Sequence, residues 1–364
     1  MSTCTASEHL LTLSFVDRDP DRHTEHTRPN TRSRPMSSPQ RTSSESGHDL
    51  RLLVRAATMY HLEGLTQAEI AARLGLSRPT AGRLVARARA QGLVHVTVTA
   101  PEHLSPSIHT EEEREVESVF GLDEVLIIDE QADGSASGNA ALGRAGASVL
   151  TRRLQLGDTF GFTWGPEQVA VADALSGAAS CRRVVQMDGS MTSVEYHTGV
   201  DHALSRFSER LGAQPMRLVA PLYADPATVR ALNRDSILSQ ALFAGKTASV
   251  MLFGVGSVST STTLFEGAYI DAAVLDELHD LGAVGEIGGR FYDADGVAVE
   301  STLVDRTVSV ALADVRACPT TILTSGGTHR RESVLGALRG GYATILVTDL
   351  PTATWLLAQQ KGQG

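Results

Sequence analysis

The chain has 364 residues, more than one ordinary domain needs, and its 42% hydrophobic against 20% charged residues is the balance of a globular protein with a sizeable core. A net charge of −10 excludes a protein that coats nucleic acid over its whole surface, so any DNA contact has to be confined to a local basic element. Cys4, Cys181 and Cys318 lie far apart without CxxC spacing, which argues against a disulfide framework or a zinc site and fits a reducing compartment. No apolar run approaches the roughly 18 residues that span a bilayer, and His9–Phe15 lacks the basic flank and cleavage site of a signal peptide. The expectation is a cytoplasmic protein with no membrane partner, no metal and no cofactor.

Residues 1–48 are rich in Ser, Thr, Arg, Pro and His and cannot bury enough surface to offset the entropy of ordering, so they predict a disordered tail, with Met36 as an alternative start. Residues 49–100 predict a winged helix-turn-helix. A first helix over Leu50–His61 carries Leu53, Ala56, Ala57 and Tyr60 at the spacing of one buried face. Thr66 caps a second helix, with Glu69 completing a capping box, and Ile70, Ala71 and Leu74 point inward. Gly75 stands where a tight turn requires positive φ. Ser77 caps a third helix, Pro79 occupies its first turn, and Leu84, Val85 and Ala88 form its buried stripe. The other face offers Arg78, Thr80, Arg83 and Arg87, the distribution a recognition helix needs: N-terminal side chains for base edges and flanking arginines for phosphates. His95–Val98 alternates like a short wing strand. A single basic stripe would fit a solvated helical hairpin equally well; caps, turn glycine, basic third helix and wing in that order point to DNA.

Residues 101–114 read as a linker, and 115–364 as a second domain. There, short apolar runs alternate with longer amphipathic ones. The runs are Glu124–Asp129, Thr159–Phe162, Arg183–Met187, Arg217–Ala220, Ser249–Phe253, Thr320–Leu323 and Ala343–Thr348. Helical patterns cover Asn139–Leu154, Ala203–Leu211, Ile270–Leu281 and Arg331–Arg339. This alternation predicts an α/β domain with a mainly parallel sheet covered on both faces. Ligands in such folds bind outside the carboxyl ends of the strands, where this sequence has the turns FTWG, DGS, GVGS and SGG.

The run TQAEIAARLGLSRPTAGRLVARARAQGLVHV, followed by GLDEVLIID, GFTWGPEQV, VVQMDGS, VAPLYADP, LFGVGSV, GAVGEIGGRFYDADG and SGGTHRRESVLGALRGGYATILVTD, resembles the SorC family of sugar-binding transcriptional regulators. The resemblance covers nearly everything from Asp49 to the C-terminus. It implies a Rossmann-like effector domain similar to ribose-5-phosphate isomerases and glucosamine-6-phosphate deaminases. It also implies a homo-oligomer, dimer or tetramer, that binds operator DNA and takes a sugar, polyol or sugar phosphate as inducer. The family's ligand contacts map to Thr163, Trp164 and Gly165, to Gln186, Asp188 and Gly189, and to Gly254, Gly256 and Ser257. They also map to Glu286 and Arg290, and to Gly326, Gly327 and Arg330. The residues themselves leave alternatives open. The GVGS turn can present backbone N–H groups to an oxygen-rich ligand or be a tight turn only. Gln186 and Asp188 can bond hydroxyls or cap a turn. Glu286 is either a site carboxylate or a solvated loop charge, and Trp164 a sugar platform or core.

Two other functions fit the α/β half: a sugar-phosphate isomerase or deaminase, or a domain that only oligomerises. For an enzyme, Asp188, Glu286 and His329 are the conceivable players, but no compact motif links them, and the helix-turn-helix makes catalysis unnecessary. In the FTWG loop the family often has threonine where this chain has Glu167, and after the later SGG turn it often has lysine where this chain has Arg330; Asp349 is followed by Leu350 rather than by an acidic residue. Pro166 has no N–H to give a phosphate, and Glu167 would repel one, whereas Glu167 and Gln168 can accept from vicinal hydroxyls. Arg290 and Arg330 could instead clamp a phosphate, or pair with Glu286 or Glu167. The balance favours a neutral polyol or sugar over a sugar phosphate.

Overall fold

The computed structural model describes residues 43–95, 108–132, 134–191, 198–234 and 236–361. It divides into two compact units, Met1–Pro101 and Glu102–Gly364.

The first unit holds three helices, α1 (Ser43–His61), α2 (Gln67–Leu74) and α3 (Arg78–Ala90). The local signals act as expected. Thr66 and Glu69 form the reciprocal capping box, Gly75 adopts φ 65° after α2, and the Ser77 hydroxyl accepts from Thr80 N–H at the start of α3. Leu53, Ala56, Ala57, Ile70, Ala71, Ala81, Leu84, Val85 and Ala88 form one buried cluster, with Leu74 packed against it. Two expectations need correction. The first helix begins at Ser43, not Leu50, so 43–48 belong to it rather than to the tail. Tyr60 is 40% exposed, because a groove between the ends of α1 and α3 leaves its ring at the rim while Met59 is buried. Residues 96–98 of the expected wing lie outside the described residues, as do 1–42 and 101–107.

In the second unit, α4 (Thr110–Phe120) precedes β1 (Glu124–Ile128), α5 (Ala136–Arg153), β2 (Thr159–Phe162), α6 (Pro166–Ala174), β3 (Arg183–Gln186), α7 (Val200–Leu211) and β4 (Gln214–Met216). There follow α8 (Pro226–Leu232), α9 (Ser236–Lys246), β5 (Val250–Phe253), β6 (Gly256–Ser257), α10 (Thr263–Glu266), α11 (Ala272–Asp280), β7 (Ala283–Ile287) and β8 (Arg290–Asp293). The unit ends with α12 (Leu312–Ala317), β9 (Thr320–Thr324), α13 (Arg331–Arg339), β10 (Ile345–Asp349) and α14 (Leu350–Lys361).

Seven strands form one sheet in the order β1-β10-β9-β5-β2-β3-β4, and every pairing in it is parallel. Alternate side chains of one strand feed two different cores. Val250 and Leu252 join the cluster of α5, α6 and α7, whereas Met251 and Phe253 join that of α4, α13 and α14. Burial of both faces is why these strands read as unbroken apolar runs. From β2 the chain moves outward through β3 and β4; with β5 it returns to the other side of β2 and proceeds to β9 and β10. The order therefore reverses between β2 and β5. A crevice opens outside the carboxyl ends at such a point, because the connections leave it in opposite directions.

The Arg217–Ala220 run is not a strand. The edge strand is Gln214–Met216, and the following residues alternate in burial, Leu218 and Ala220 inward in a small cluster with Val229, Ala241 and Val308, without joining the sheet. A second sheet, β6-β7-β8, is antiparallel and was not foreseen. Its β7–β8 turn is Gly288–Gly289, with φ 56° and 77°, values a two-residue hairpin turn demands and glycine supplies without strain.

Candidate functional site

The turns after β2 and β5 border one cleft at the reversal point. Eleven predicted effector residues line it: Thr163, Trp164, Gly165, Glu167, Gln168, Asp188, Gly254, Gly256, Ser257, Glu286 and Arg330. Each is delivered by the fold in a recognisable way. Thr163–Gly165 leave β2, and Pro166 starts α6 in the first turn, where its missing N–H costs nothing. Glu167 and Gln168 follow and are almost fully buried. Glu167 forms an ion pair with Arg330, which is carried by the loop after β9. Gln168 Nε2 donates to Thr324 Oγ1 at 3.2 Å, anchoring α6 to the end of β9.

Asp188, just past β3, is 2% exposed and accepts from the Trp164 backbone N–H at 3.3 Å. Burial, reinforced by the nearby Glu286, holds its carboxyl well above the usual carboxylate range. Glu286 sits on β7 with Oε2 accepting from Gly289 N–H at 2.7 Å. Burial pushes it up to about 7, against the opposing influence of the Gly289 N–H, Arg330 and the Gly256 N–H. A Cβ on Gly256 would lie 2.3 Å from Glu286 Oε1, so glycine is needed there to let β6 pass this carboxylate. Near neutral pH Glu286 can therefore either accept from or donate to a hydroxyl.

Trp164 borders the cleft, but its indole N–H donates to Gly189 O at 2.9 Å and its ring stacks on Tyr269 at 5.4 Å. It acts as a fixed wall. The remaining five predicted residues are not in the lining. Gln186 lies beneath it, fully buried, donating to Asp188 O at 2.6 Å. Gly189 packs so closely on Pro221 that a Cβ would meet its carbonyl oxygen at 2.2 Å. Arg290 is turned away; its guanidinium donates to the carbonyls of Val310 at 3.0 Å and Ser309 at 3.0 Å, fastening β8 to the segment before α12. Gly326 and Gly327 back the loop that carries Arg330, with Gly327 N–H donating to Asp349 Oδ2 at 3.1 Å. The same buried Asp349 receives Ala132 N–H at 2.8 Å and Thr352 N–H at 2.9 Å, so it clamps three segments at the end of β10.

The lining also includes residues that the sequence reading missed, Ser261, Thr262, Thr263, Leu264, Gly288 and Gly289, together with His329, which it weighed only for an enzyme. The hydroxyl run Ser259–Thr263 directly after GVGS was the available signal, and Gly288-Gly289 between two apolar runs was the hairpin signal. Ser257, Ser259 and Ser261 hydroxyls form a ladder with spacings of 3.3 and 3.1 Å. Among the described residues no group of three or more His, Cys, Asp or Glu is placed to hold a metal. No described helix is long and apolar enough to cross a membrane. Burial raises the thiols of Cys181 and Cys318 to about 11, which makes them poor nucleophiles.

In the first unit, Arg78, Pro79, Arg83 and Arg87 are exposed on α3 opposite its buried stripe, and Thr80 is half-buried. Thr66 and Ser77 are exposed but their hydroxyls are engaged, with Glu69 Oε2 at 2.7 Å and Thr80 Oγ1 at 2.8 Å respectively. Arg87 pairs with Asp49 at 3.0 Å.

Comparison with known proteins supplies the rest. Residues 106–358 match the Sugar-bind model, a family of sugar-binding domains, and residues 56–103 match the MarR family model. The chain is 31% identical over 312 residues to the deoxyribonucleoside regulator of Bacillus subtilis, covering 84% of this chain and 97% of that protein. It is 29% identical over 323 residues to the sorbitol operon regulator of Klebsiella pneumoniae, covering 86% and 99%. The crystal structure of that full-length regulator, SorC, superposes with a TM-score of 0.63 at 28% identity, covering 85% of this chain and 99% of the other. A matching sugar-binding domain, a helix-turn-helix and near full-length similarity to these regulators converge: the chain belongs to the SorC family of sugar-binding transcriptional regulators.

Proposed function

We propose that α3 reads operator DNA and that the cleft between β2 and β5 binds a small polyhydroxylated carbohydrate whose occupancy changes operator affinity. The observation that carries the effector half is the cleft itself. It lies at the reversal point of a parallel sheet and gathers Asp188, Glu286, Glu167 and Arg330 with a run of hydroxyls. Such a lining matches vicinal hydroxyls, which donate to carboxylates and accept from N–H groups. The strand order and the cleft's position support a Rossmann-like layout akin to sugar-phosphate isomerases and deaminases, used here for binding. The relatives named above are regulators of deoxyribonucleoside and sorbitol systems, which supports the same ligand class.

On the DNA side, one three-helix unit offers little contact surface, so a homo-oligomer of even number, a tetramer ahead of a dimer, is proposed to place paired heads on a pseudo-palindromic site. A thermal-shift panel on the full chain, with polyols, sugars and their phosphates, tests the effector assignment. A stabilising compound of this class, whose effect is lost in Asp188→Asn, is expected. No stabilisation by any of them would refute it.

A further inference from the structure

Among the described residues that line the cleft, Arg330 is the one guanidinium, and it is committed to Glu167. The pair is deep: the side chains are 5% and 16% exposed for Glu167 and Arg330. Glu167 stands in the first turn of α6, where the helix dipole already favours a negative charge. Pro166 beside it offers no N–H to a ligand. A cation, a helix N-terminus and low exposure are the elements that would hold an anionic group on a ligand. In this chain a carboxylate of the protein already occupies that position.

We propose that Glu167 is a specificity-determining residue: its carboxylate, locked on Arg330, stands in for an anionic group and restricts the cleft to uncharged sugars and polyols. This rests on the reading of the cleft as a carbohydrate site and names the class within it. A phosphate placed about 5 Å from Glu167 would lose roughly 100-fold or more in affinity per unit charge at an effective dielectric near 20. Displacing Glu167 from Arg330 instead would strand a buried carboxylate without a partner, which is no less costly. Asp188 and Glu286, which line the same cleft, add repulsion of the same sign once ionised. A neutral polyol meets none of these costs and finds acceptors for its hydroxyls.

The test uses the full chain, Glu167→Gln and Glu167→Thr, with calorimetry on erythritol, xylitol and sorbitol and on their terminal phosphates. The wild type is expected to favour the neutral compounds at least 10-fold. Both variants, with Arg330 released, are expected to move the ratio toward the phosphates by about 100-fold. Inorganic phosphate alone supplies a readout independent of the effector's identity. At ten times its Kd it should raise the Tm of Glu167→Gln by about 3–6 °C and leave the wild type unchanged. A wild type that prefers the phosphates, or a ratio unaltered in both variants, overturns the role of Glu167 while leaving the carbohydrate reading in place. No binding by either class, to wild type or variants, overturns that reading and this inference with it.

Discussion

Replacing Glu286 by Gln should make the second unit's stability less sensitive to pH. Folded Glu286 keeps its proton up to about pH 7, whereas in the unfolded chain it ionises near 4.5. Between those values the native state binds more protons than the unfolded one, so the wild type loses stability as pH rises through that window. The full linkage is about 3 kcal/mol. Because the side chain retains some exposure to the cleft, screening leaves roughly 1–3 kcal/mol of it. Its charged and titratable neighbours are Asp188, which resists ionisation next to Glu286, Arg330, which favours it, and the buried hydroxyls of Tyr223 and Tyr292. The Gly256 and Gly289 N–H groups favour the ionised form too, and their influence is already contained in the value of about 7. Both tryptophans of the chain, Trp164 and Trp355, lie in the second unit, so fluorescence-monitored urea unfolding reports on that unit alone. The stability of Glu286→Gln minus that of the wild type should rise by roughly 1–3 kcal/mol from pH 5 to pH 8. A difference that stays flat across that range would refute the assignment of a buried, proton-holding carboxyl to the cleft.

Arg83→Ala should cost about 1–3 kcal/mol of operator affinity and relax sequence preference, whereas Arg87→Ala should weaken all sequences alike and lower the salt slope by about one; fluorescence anisotropy on selected and random duplexes separates the two. Gly256→Ala should destabilise the second unit by about 1–3 kcal/mol and suppress effector binding, since the new Cβ must displace Glu286; normal affinity in calorimetry would show that Glu286 has room to move. Light scattering should find an even-numbered oligomer at micromolar concentration, and a monomer that still binds its operator tightly would refute paired heads.

Much of this was legible because the responsible signals are local. Thr66, Glu69, Gly75, Ser77 and Pro79 dictate the helix ends through caps and turn conformations that involve only near neighbours, and they perform those roles in the structure. The central strands were readable because burial on both faces leaves runs such as Thr159–Phe162 without a polar interruption. The edge was not: Gln214–Met216 is exposed and short, and the apolar alternation of Arg217–Ala220 comes from packing beyond the sheet. Within the site, residues next to strand ends were found because the turn itself announces them. Arg290 was misplaced because nothing in its neighbourhood tells whether a side chain on a hairpin faces the cleft or the carbonyls of Val310 and Ser309. The pairing of Arg330 with Glu167 joins residues 163 positions apart, and the reading could only leave it as one of several partners. Asp349 escaped notice as a clamp for the same reason, since its bond to Ala132 spans 217 positions.

The central claim is that one chain couples carbohydrate binding to DNA binding. The direct measurement is operator affinity of the full chain, on a duplex selected from a random pool, with and without the compound that the thermal-shift panel identifies. Coupling of about 1–3 kcal/mol, a 5- to 150-fold change in Kd of either sign, is expected, and Asp188→Asn should abolish the change while leaving affinity for the duplex intact. A Kd that is the same at zero and saturating ligand would contradict the account.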